Sequence, residues 1–327
     1  MYYQISAPYF FKRLKCTMFC IFFLLAITTK AAEHYGSNNQ QLPLQRHDEK
    51  PRMFLICVID SNDETIGKRC EEDLDAITYL FEEIADWLDV DRAEPKIVSG
   101  EQFSKAAVKD AINNWLPAQQ PGANDIVIFY YSGHGFRYSK DASGYPRMWL
   151  KNGDNKNPEE NNLSIESDVY DHIIKMGAGV NIVLSDCCNT YAPGDNVNAD
   201  NANVPVRQKI KHTRKQADED EASDDEDDYG DKLFIPGHPV SILATAAQEG
   251  EFAAGKEDVG GFFTYYLVEA LEDCVYDNKI EPSWENIFKY TDKNAGYWAK
   301  SAACPDAKHN AQGRCVQTLE FKMEDSQ

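Results

Sequence analysis

The chain has 327 residues, of which 33 are basic and 54 acidic, so its formal net charge is −21. With 43% hydrophobic and 27% charged residues, the composition is that of a globular protein and not of a disordered or fibrous one. The acidity argues against a nucleic-acid or anionic-membrane partner, because neither polyanion would be attracted to it. Nine cysteines are too few for a disulfide-dense scaffold, so each is considered by its position.

The first 32 residues have the features of a secretory signal peptide. Basic residues precede a short apolar run from Cys16 to Ile27, and small residues follow at Ala31 and Ala32. The run is shorter than the roughly 20 residues that span a bilayer, and an uncleaved N-terminal anchor is the alternative. We therefore predict a secreted or periplasmic protein with a signal peptide at 1–32, a polar linker at 33–52 and one domain at 53–322.

Strand-like and helical patterns alternate through that domain. Short apolar runs predict buried strands at Met53–Ile59, Pro95–Ser99, Asp125–Tyr131, Val180–Ser185, Ser241–Ala246 and Val316–Phe321. Helical spacing of apolar residues predicts helices at Asp73–Leu88, Gln102–Trp115, Glu166–Met176, Phe262–Leu271 and Trp284–Thr291. The alternation predicts an α/β fold, a three-layer sandwich with a mostly parallel sheet and helices on both faces.

The pattern is interrupted at 199–237, where we predict a charged flexible loop. Arg207–Lys215 is basic, and the following segment Asp218–Asp231 contains ten acids. Neither half can bury apolar surface. The acidic run is interpreted as a solvated spacer, with a calcium site as the alternative.

Two strand ends carry the candidate chemistry, because ligands of parallel sheets bind just beyond the carboxyl ends of the strands. The strand Asp125–Tyr131 continues into a Ser-Gly-His-Gly segment that contains His134. The strand Val180–Ser185 continues into an Asp-Cys-Cys-Asn segment that contains Cys188. An imidazole beside a thiol lowers the thiol pKa or accepts its proton, so the two residues are a candidate nucleophile and base. The N–H groups of Gly135 and Cys188 are candidates for an oxyanion hole.

These paired motifs resemble those of the caspase and metacaspase cysteine peptidases (clan CD, peptidase family C14). The segment IGKRCEEDLDAITYL is similar to the first helix of that family, and Gly-Gly-Phe-Phe-Thr at 260–264 resembles a later helix start. The resemblance covers roughly residues 51–321. It implies that Cys188, and not Cys187, is the nucleophile and that His134 is the general acid and base.

The resemblance also implies a specificity and a route to activation. Asp186 and Asp73 match the acidic S1 pocket of metacaspases, which favours Arg or Lys at P1 through charge-assisted hydrogen bonds. If P1 is basic, candidate self-cleavage points lie in the charged loop at Arg207, Lys209, Lys211, Arg214 and Lys215. Self-processing there is the hypothesis, and simple pairing with the acidic run is the alternative.

The chain departs from the family at two places. Asn189-Thr190-Tyr191 stands where His-Ser-Gly often follows the nucleophile. The paired calcium-site aspartates are not reproduced at Glu166-Ser167-Asp168, although Asp195 falls near a family calcium position. Calcium activation is therefore left open and no metal or other cofactor is predicted.

Two other hypotheses of function fit the same residues. The chain could be a catalytically silent interaction module with the same fold, or a thiol redox protein that uses Cys187 and Cys188, although neighbouring cysteines rarely bridge. Cys304 and Cys315 flank a short polar loop and could form a disulfide or remain thiols. The expected partner is a peptide or protein substrate, and the oligomeric state is not predicted.

Overall fold

The computed structural model of the chain describes residues 50–150, 157–192, 195, 229–304, 308, 310 and 312–325. These residues belong to one compact unit that begins at Arg46. Its strands are β1 (Arg52–Ile59), β2 (Asp91–Arg92), β3 (Lys96–Ser99), β4 (Ile126–Ser132), β5 (Gly135–Phe136), β6 (Arg147–Trp149), β7 (Asn162–Ser164), β8 (Val180–Asp186), β9 (Val240–Thr245), β10 (Gly255–Lys256), β11 (Gly260–Gly261) and β12 (Glu320–Asp325). Its helices are α1 (Gly67–Trp87), α2 (Lys105–Asp110), α3 (Leu116–Ala118), α4 (Asp171–Ile173), α5 (Tyr229–Phe234), α6 (Phe262–Val275) and α7 (Trp284–Ala299).

A seven-stranded sheet is the framework of the protein. Its strand order is β12-β9-β8-β4-β1-β2, and β3 also pairs with β1. The inner strands β1, β4, β8 and β9 are parallel, whereas β12 is antiparallel to β9. The predicted mostly parallel sheet is therefore confirmed, and the carboxyl ends of β1, β4 and β8 share one edge.

Alternate residues of each inner strand pack into two separate cores. In β1, Leu55 and Cys57 face the core that contains α1, α6 and α7. Ile56 and Val58 face the opposite core, which contains α2 and the helical segment around α4. Both faces of the sheet are thus covered, which explains why these strands read as continuous apolar runs. The predicted three-layer α/β sandwich is confirmed.

Several predicted boundaries are corrected by the structure. The last strand is β12 and not Val316–Phe321, because the N–H groups of Thr318 and Leu319 donate to the side chains of Glu251 and Asp292 and not to a neighbouring strand. Helix α1 begins at Gly67 and α7 extends to Ala299, beyond the predicted limits.

Part of the predicted charged loop is ordered into secondary structure. Helix α5 lies within 199–237 and buries Leu233 and Phe234, two apolar residues that follow the acidic run. The rest of that segment up to residue 228 lies outside the described residues, as do the predicted signal peptide and most of the predicted linker. None of the helices in the described part of the chain has the length and apolarity needed to cross a bilayer.

Candidate active site

The register of β4 and β8 brings the two candidate catalytic residues to the same edge of the sheet. Ser132 lies opposite Asp186 in this parallel pair. His134 and Cys188 each follow two residues later, so they leave the sheet in step. The N–H of Gly133 donates to the carbonyl oxygen of Asp186 at 3.4 Å, which keeps the two chains together beyond the strands.

Gly135 follows His134 at a point where the backbone after β4 closely approaches the backbone after β8. A Cβ at Gly135 would overlap the carbonyl oxygen of Cys188 and the Sγ of Cys187. A side chain at this position would therefore push the two loops apart. The two N–H groups predicted for the oxyanion hole belong to these contacting segments.

Cys188 carries the accessible thiol of the site. Its side chain is half-buried, whereas Cys187 is 1% exposed and contacts the hydroxyl of Ser185 at 3.4 Å. The N–H of Ala253 donates to Sγ of Cys188 at 3.4 Å. Burial raises the pKa of the Cys188 thiol, an effect opposed by the Ala253 N–H and by the positive charge of Arg69. The thiol therefore needs a base to become a nucleophile at neutral pH.

The backbone and ring of His134 are held by three neighbours. Its carbonyl oxygen accepts hydrogen bonds from the hydroxyl of Tyr131 at 2.6 Å and from the N–H of Trp149 at 2.9 Å. The Trp149 ring meets the imidazole edge to face, with 6.0 Å between ring centroids. On another side, Nε2 of the imidazole lies 3.1 Å from Oδ2 of Asp63, in the loop that follows β1.

The two predicted S1 carboxylates lie side by side beneath this edge, and both are buried. Oδ2 of Asp73 accepts a hydrogen bond from Ser132 Oγ at 2.6 Å, and Oδ1 accepts one from the Gly261 N–H at 2.7 Å. Oδ2 of Asp186 accepts hydrogen bonds from the N–H and Oγ1 of Thr264 at 3.0 and 2.9 Å. The Gly-Gly-Phe-Phe-Thr segment therefore supplies donors to both carboxylates.

Burial and mutual repulsion limit the negative charge of this pair. Burial raises the pKa of Asp73 to about 8, and the neighbouring charge of Asp186 acts in the same direction. Burial also raises the pKa of Asp186, although Arg69 and the Thr264 donors oppose this. At neutral pH the pair thus carries less than two full negative charges.

Arg69 adds a positive charge near the two carboxylates, and no sequence motif predicted it. The residue is half-buried on α1, one helical turn before Asp73. Burial lowers the pKa of its guanidinium, but the negative charges of Asp186, Cys70 and Asp73 together outweigh this and raise it. Its spacing of four residues from Asp73 places both on one face of α1, but nothing in the sequence separates Arg69 from the other charged residues of this helix.

His134 and two neighbouring carboxylates are of a kind that could hold a metal ion. Asp60, Asp63 and His134 have ligand atoms within 4.8 Å of one another. Oδ1 of Asp63 accepts the N–H groups of Thr65 and Ile66, and Oδ2 is the oxygen of this residue that faces His134.

The two carboxylates considered for calcium are bound to the protein itself. Oδ2 of Asp168 accepts the N–H of Ser164 at 2.8 Å, and Asp195 accepts the N–H and Oγ of Ser139. The contacts of Asp168 and Asp195 therefore give no support for a calcium site.

A disulfide-closed loop supports the segment that follows the nucleophile. Cys304 and Cys315 are bonded to each other, which resolves the alternative left by the sequence, whereas Cys57, Cys70, Cys187, Cys188 and Cys274 are free thiols. Within that loop, Lys308 Nζ pairs with Oε1 of the fully buried Glu251 at 2.8 Å. The carbonyl oxygen of Glu251 accepts the N–H of Asn189 at 2.9 Å, directly after Cys188.

The structure thus places His134, Gly135, Cys188, Asp186 and Asp73 at one edge of the sheet. It adds Asp63 and Arg69, which the sequence reasoning did not select. For Asp63 the available signal was its place at the carboxyl end of the strand beside β4. The candidate self-cleavage residues Arg207, Lys209, Lys211, Arg214 and Lys215 lie outside the described residues.

Comparison with known proteins identifies what the chain is similar to. The Peptidase_C14 family model, described as a caspase domain, matches residues 55–295. A crystal structure of caspase-1 from Spodoptera frugiperda superposes with a TM-score of 0.48 and 11% sequence identity, covering 86% of this chain and 92% of that chain. No curated protein matches the sequence.

Proposed function

Because the chain belongs to the caspase-domain family of cysteine peptidases, we propose that it is a cysteine endopeptidase with Cys188 as nucleophile and His134 as general base. The observation that carries this proposal is the register of β4 and β8. Ser132 pairs with Asp186, and His134 and Cys188 each lie two residues beyond that pair. Cys188 is also the half-buried thiol of a pair whose other member, Cys187, is buried.

In the proposed reaction, His134 accepts the thiol proton and Cys188 Sγ attacks the carbonyl carbon of the scissile bond. The N–H groups of Gly135 and Cys188 stabilise the oxyanion, and His134 then gives the proton to the leaving amine. A thioester remains on Cys188. Water, deprotonated by His134, hydrolyses it and releases the carboxylic acid and the free thiol.

We propose that the pocket accepts Arg or Lys at P1. This is supported by Asp73 and Asp186, whose carboxylates lie close enough to repel each other. A P1 cation would compete with Arg69 for these carboxylates, so the preference for basic P1 depends on the balance between the two cations.

The decisive experiment is turnover of fluorogenic peptides with Arg, Lys or Asp at P1, with and without calcium. We expect the wild type to cleave after Arg or Lys and Cys188→Ala and His134→Ala to lose turnover. Lack of turnover of every peptide by the wild type would favour the silent interaction module. A preference for Asp would contradict the pocket assignment.

We also propose that the enzyme cleaves itself at 207–215. The proposal is supported by the match between the basic run and the proposed P1 preference. Purified wild type and Cys188→Ala are incubated, and new N-termini are sequenced. New ends after the basic residues are expected in the wild type, and the same ends in Cys188→Ala would contradict self-processing.

Export through a signal peptide at 1–32 is the last part of the proposal. The Cys304–Cys315 disulfide supports it, because disulfides persist in oxidising compartments. N-terminal sequencing of protein made in a secretory host should find an end near residue 33. Full-length protein retained in the cell would contradict export.

A further inference from the structure

A carboxylate stands behind the imidazole of the proposed base. Nε2 of His134 lies 3.1 Å from Oδ2 of Asp63, and the Asp63 side chain is only 11% exposed. A half-buried carboxylate at this distance can hold an imidazole in one orientation and one tautomer, because the N–H on that side has a fixed acceptor.

The loop after β1 fixes the orientation of Asp63. Its Oδ1 accepts hydrogen bonds from the N–H of Thr65 at 2.9 Å, from Thr65 Oγ1 at 2.6 Å and from the N–H of Ile66 at 3.2 Å. Its carbonyl oxygen accepts the N–H of Gly67, the first residue of α1, at 2.9 Å. Oδ1 of the carboxylate is thus hydrogen-bonded to the residues that precede α1, and Oδ2 faces His134.

The charged groups around the imidazole come from two elements. Asp60 and Asp63 lie in the loop after β1, where their oxygens are within 4.8 Å of the ring nitrogen. Cys188 follows β8 on the other side of the sheet edge, and the packing partner from β6 is the uncharged ring of Trp149. A carboxylate on the Asp63 side attracts the positive charge that the ring gains when it removes the thiol proton.

We propose that Asp63 is a positioning residue that orients His134 through Nε2, leaves Nδ1 for the Cys188 thiol, and stabilises the thiolate–imidazolium pair. The inference rests on the proposed peptidase function, since it assigns Asp63 to the same reaction. No covalent step involves Asp63.

The test uses the full-length protein and two readouts. The variants are Asp63→Asn, Asp63→Glu and, as matched control, Glu64→Gln, which removes one charge from the exposed neighbouring residue. The first readout is the rate at which iodoacetamide alkylates Cys188, followed by mass spectrometry. The second is the pH profile of kcat/KM for the best peptide, and thermal unfolding checks that each variant folds.

We expect Asp63→Asn to lower kcat about 100-fold, the lower end of what general acid–base catalysis contributes, with KM little changed. Alkylation at pH 7 should slow about tenfold, and the basic limb of the pH profile should move to lower pH by about one unit. Asp63→Glu, which keeps the carboxylate, should recover part of the alkylation rate. Glu64→Gln should behave as the wild type.

Equal alkylation rates and pH profiles for Asp63→Asn and Glu64→Gln would overturn the proposal. It would also be overturned if a chelator abolished the difference between the wild type and Asp63→Asn, because Asp63 would then act as a metal ligand. Alkylation that depends on Asp63 while no peptide is cleaved would support the positioning role and refute the peptidase function. Cleavage with alkylation independent of Asp63 would refute the positioning role alone.

Discussion

Removal of the Cys304–Cys315 disulfide should loosen the segment that supports the nucleophile. The two cysteines are separated by 11 residues, and closing a loop of that size in the unfolded chain corresponds to about 3 kcal/mol. The loop also positions Lys308, whose N–H donates to the Gly250 carbonyl oxygen at 2.8 Å and whose Nζ pairs with Glu251. The effect should therefore reach Asn189, which exchanges hydrogen bonds with Gly250 and Glu251.

The test variant carries the double substitution Cys304→Ser and Cys315→Ser. Its urea unfolding is compared with that of the wild type, and both proteins are measured with and without dithiothreitol. We expect the free energy of unfolding to fall by about 3 kcal/mol and the melting temperature by roughly 5–10 °C. Peptide turnover at 25 °C should fall as the Asn189 segment becomes less ordered.

The reductant provides the internal control for this experiment. Dithiothreitol should destabilise the wild type by about the same 3 kcal/mol and leave the double variant unchanged. Unfolding of the wild type at the same urea concentration with and without reductant would contradict this prediction. A double variant as stable as the oxidised wild type would contradict it as well.

Three further substitutions test the pocket and the loop contact. Arg69→Ala removes the competing cation, so it should increase kcat/KM for P1 Arg peptides several-fold; an unchanged or lower value would contradict competition. Burial raises the pKa of Asp73 to about 8, so the folded state holds a proton that an unfolded carboxyl, with a pKa near 4, has lost. Stability should then decline as pH rises from about 4 to about 8, and Asp73→Asn should flatten that decline in urea unfolding at pH 5 and pH 8, whereas an equal slope would argue against the raised pKa. Gly135→Ala introduces a Cβ that overlaps the Cys188 carbonyl oxygen, and it should lower turnover at least 100-fold, a loss that wild-type rates in the variant would disprove.

Long apolar runs in the sequence predicted the strands that are buried on both faces of the sheet. Strands β4 and β8 are fully buried, so every position is apolar or paired and the run is continuous. The last strand was misplaced because β12 is an exposed edge with residues such as Phe321 and Met323 39% and 37% exposed. The apolar signal at Val316–Leu319 instead belongs to a segment held by side-chain acceptors.

The candidate site could be predicted where it depends on strand order and not where it depends on side-chain packing. His134 and Cys188 each follow a strongly apolar run that predicts a strand. The rule that ligands bind beyond the carboxyl ends of parallel strands was therefore enough to select both residues as candidates. Asp63 lies in a loop whose proximity to His134 follows from the pairing of β1 with β4, which no local pattern specifies. Arg69 is one of several charged residues on α1, and only the tertiary fold distinguishes it from those in solvent.

The central claim is that His134 activates Cys188 for attack on a peptide carbonyl. The most direct test is covalent labelling with a peptidyl-arginine chloromethyl ketone, with the modified residue identified and its rate measured by mass spectrometry. We expect rapid labelling of Cys188 in the wild type and labelling at least 100-fold slower in His134→Ala. Labelling of Cys187 in place of Cys188, or equal rates in the two proteins, would contradict it.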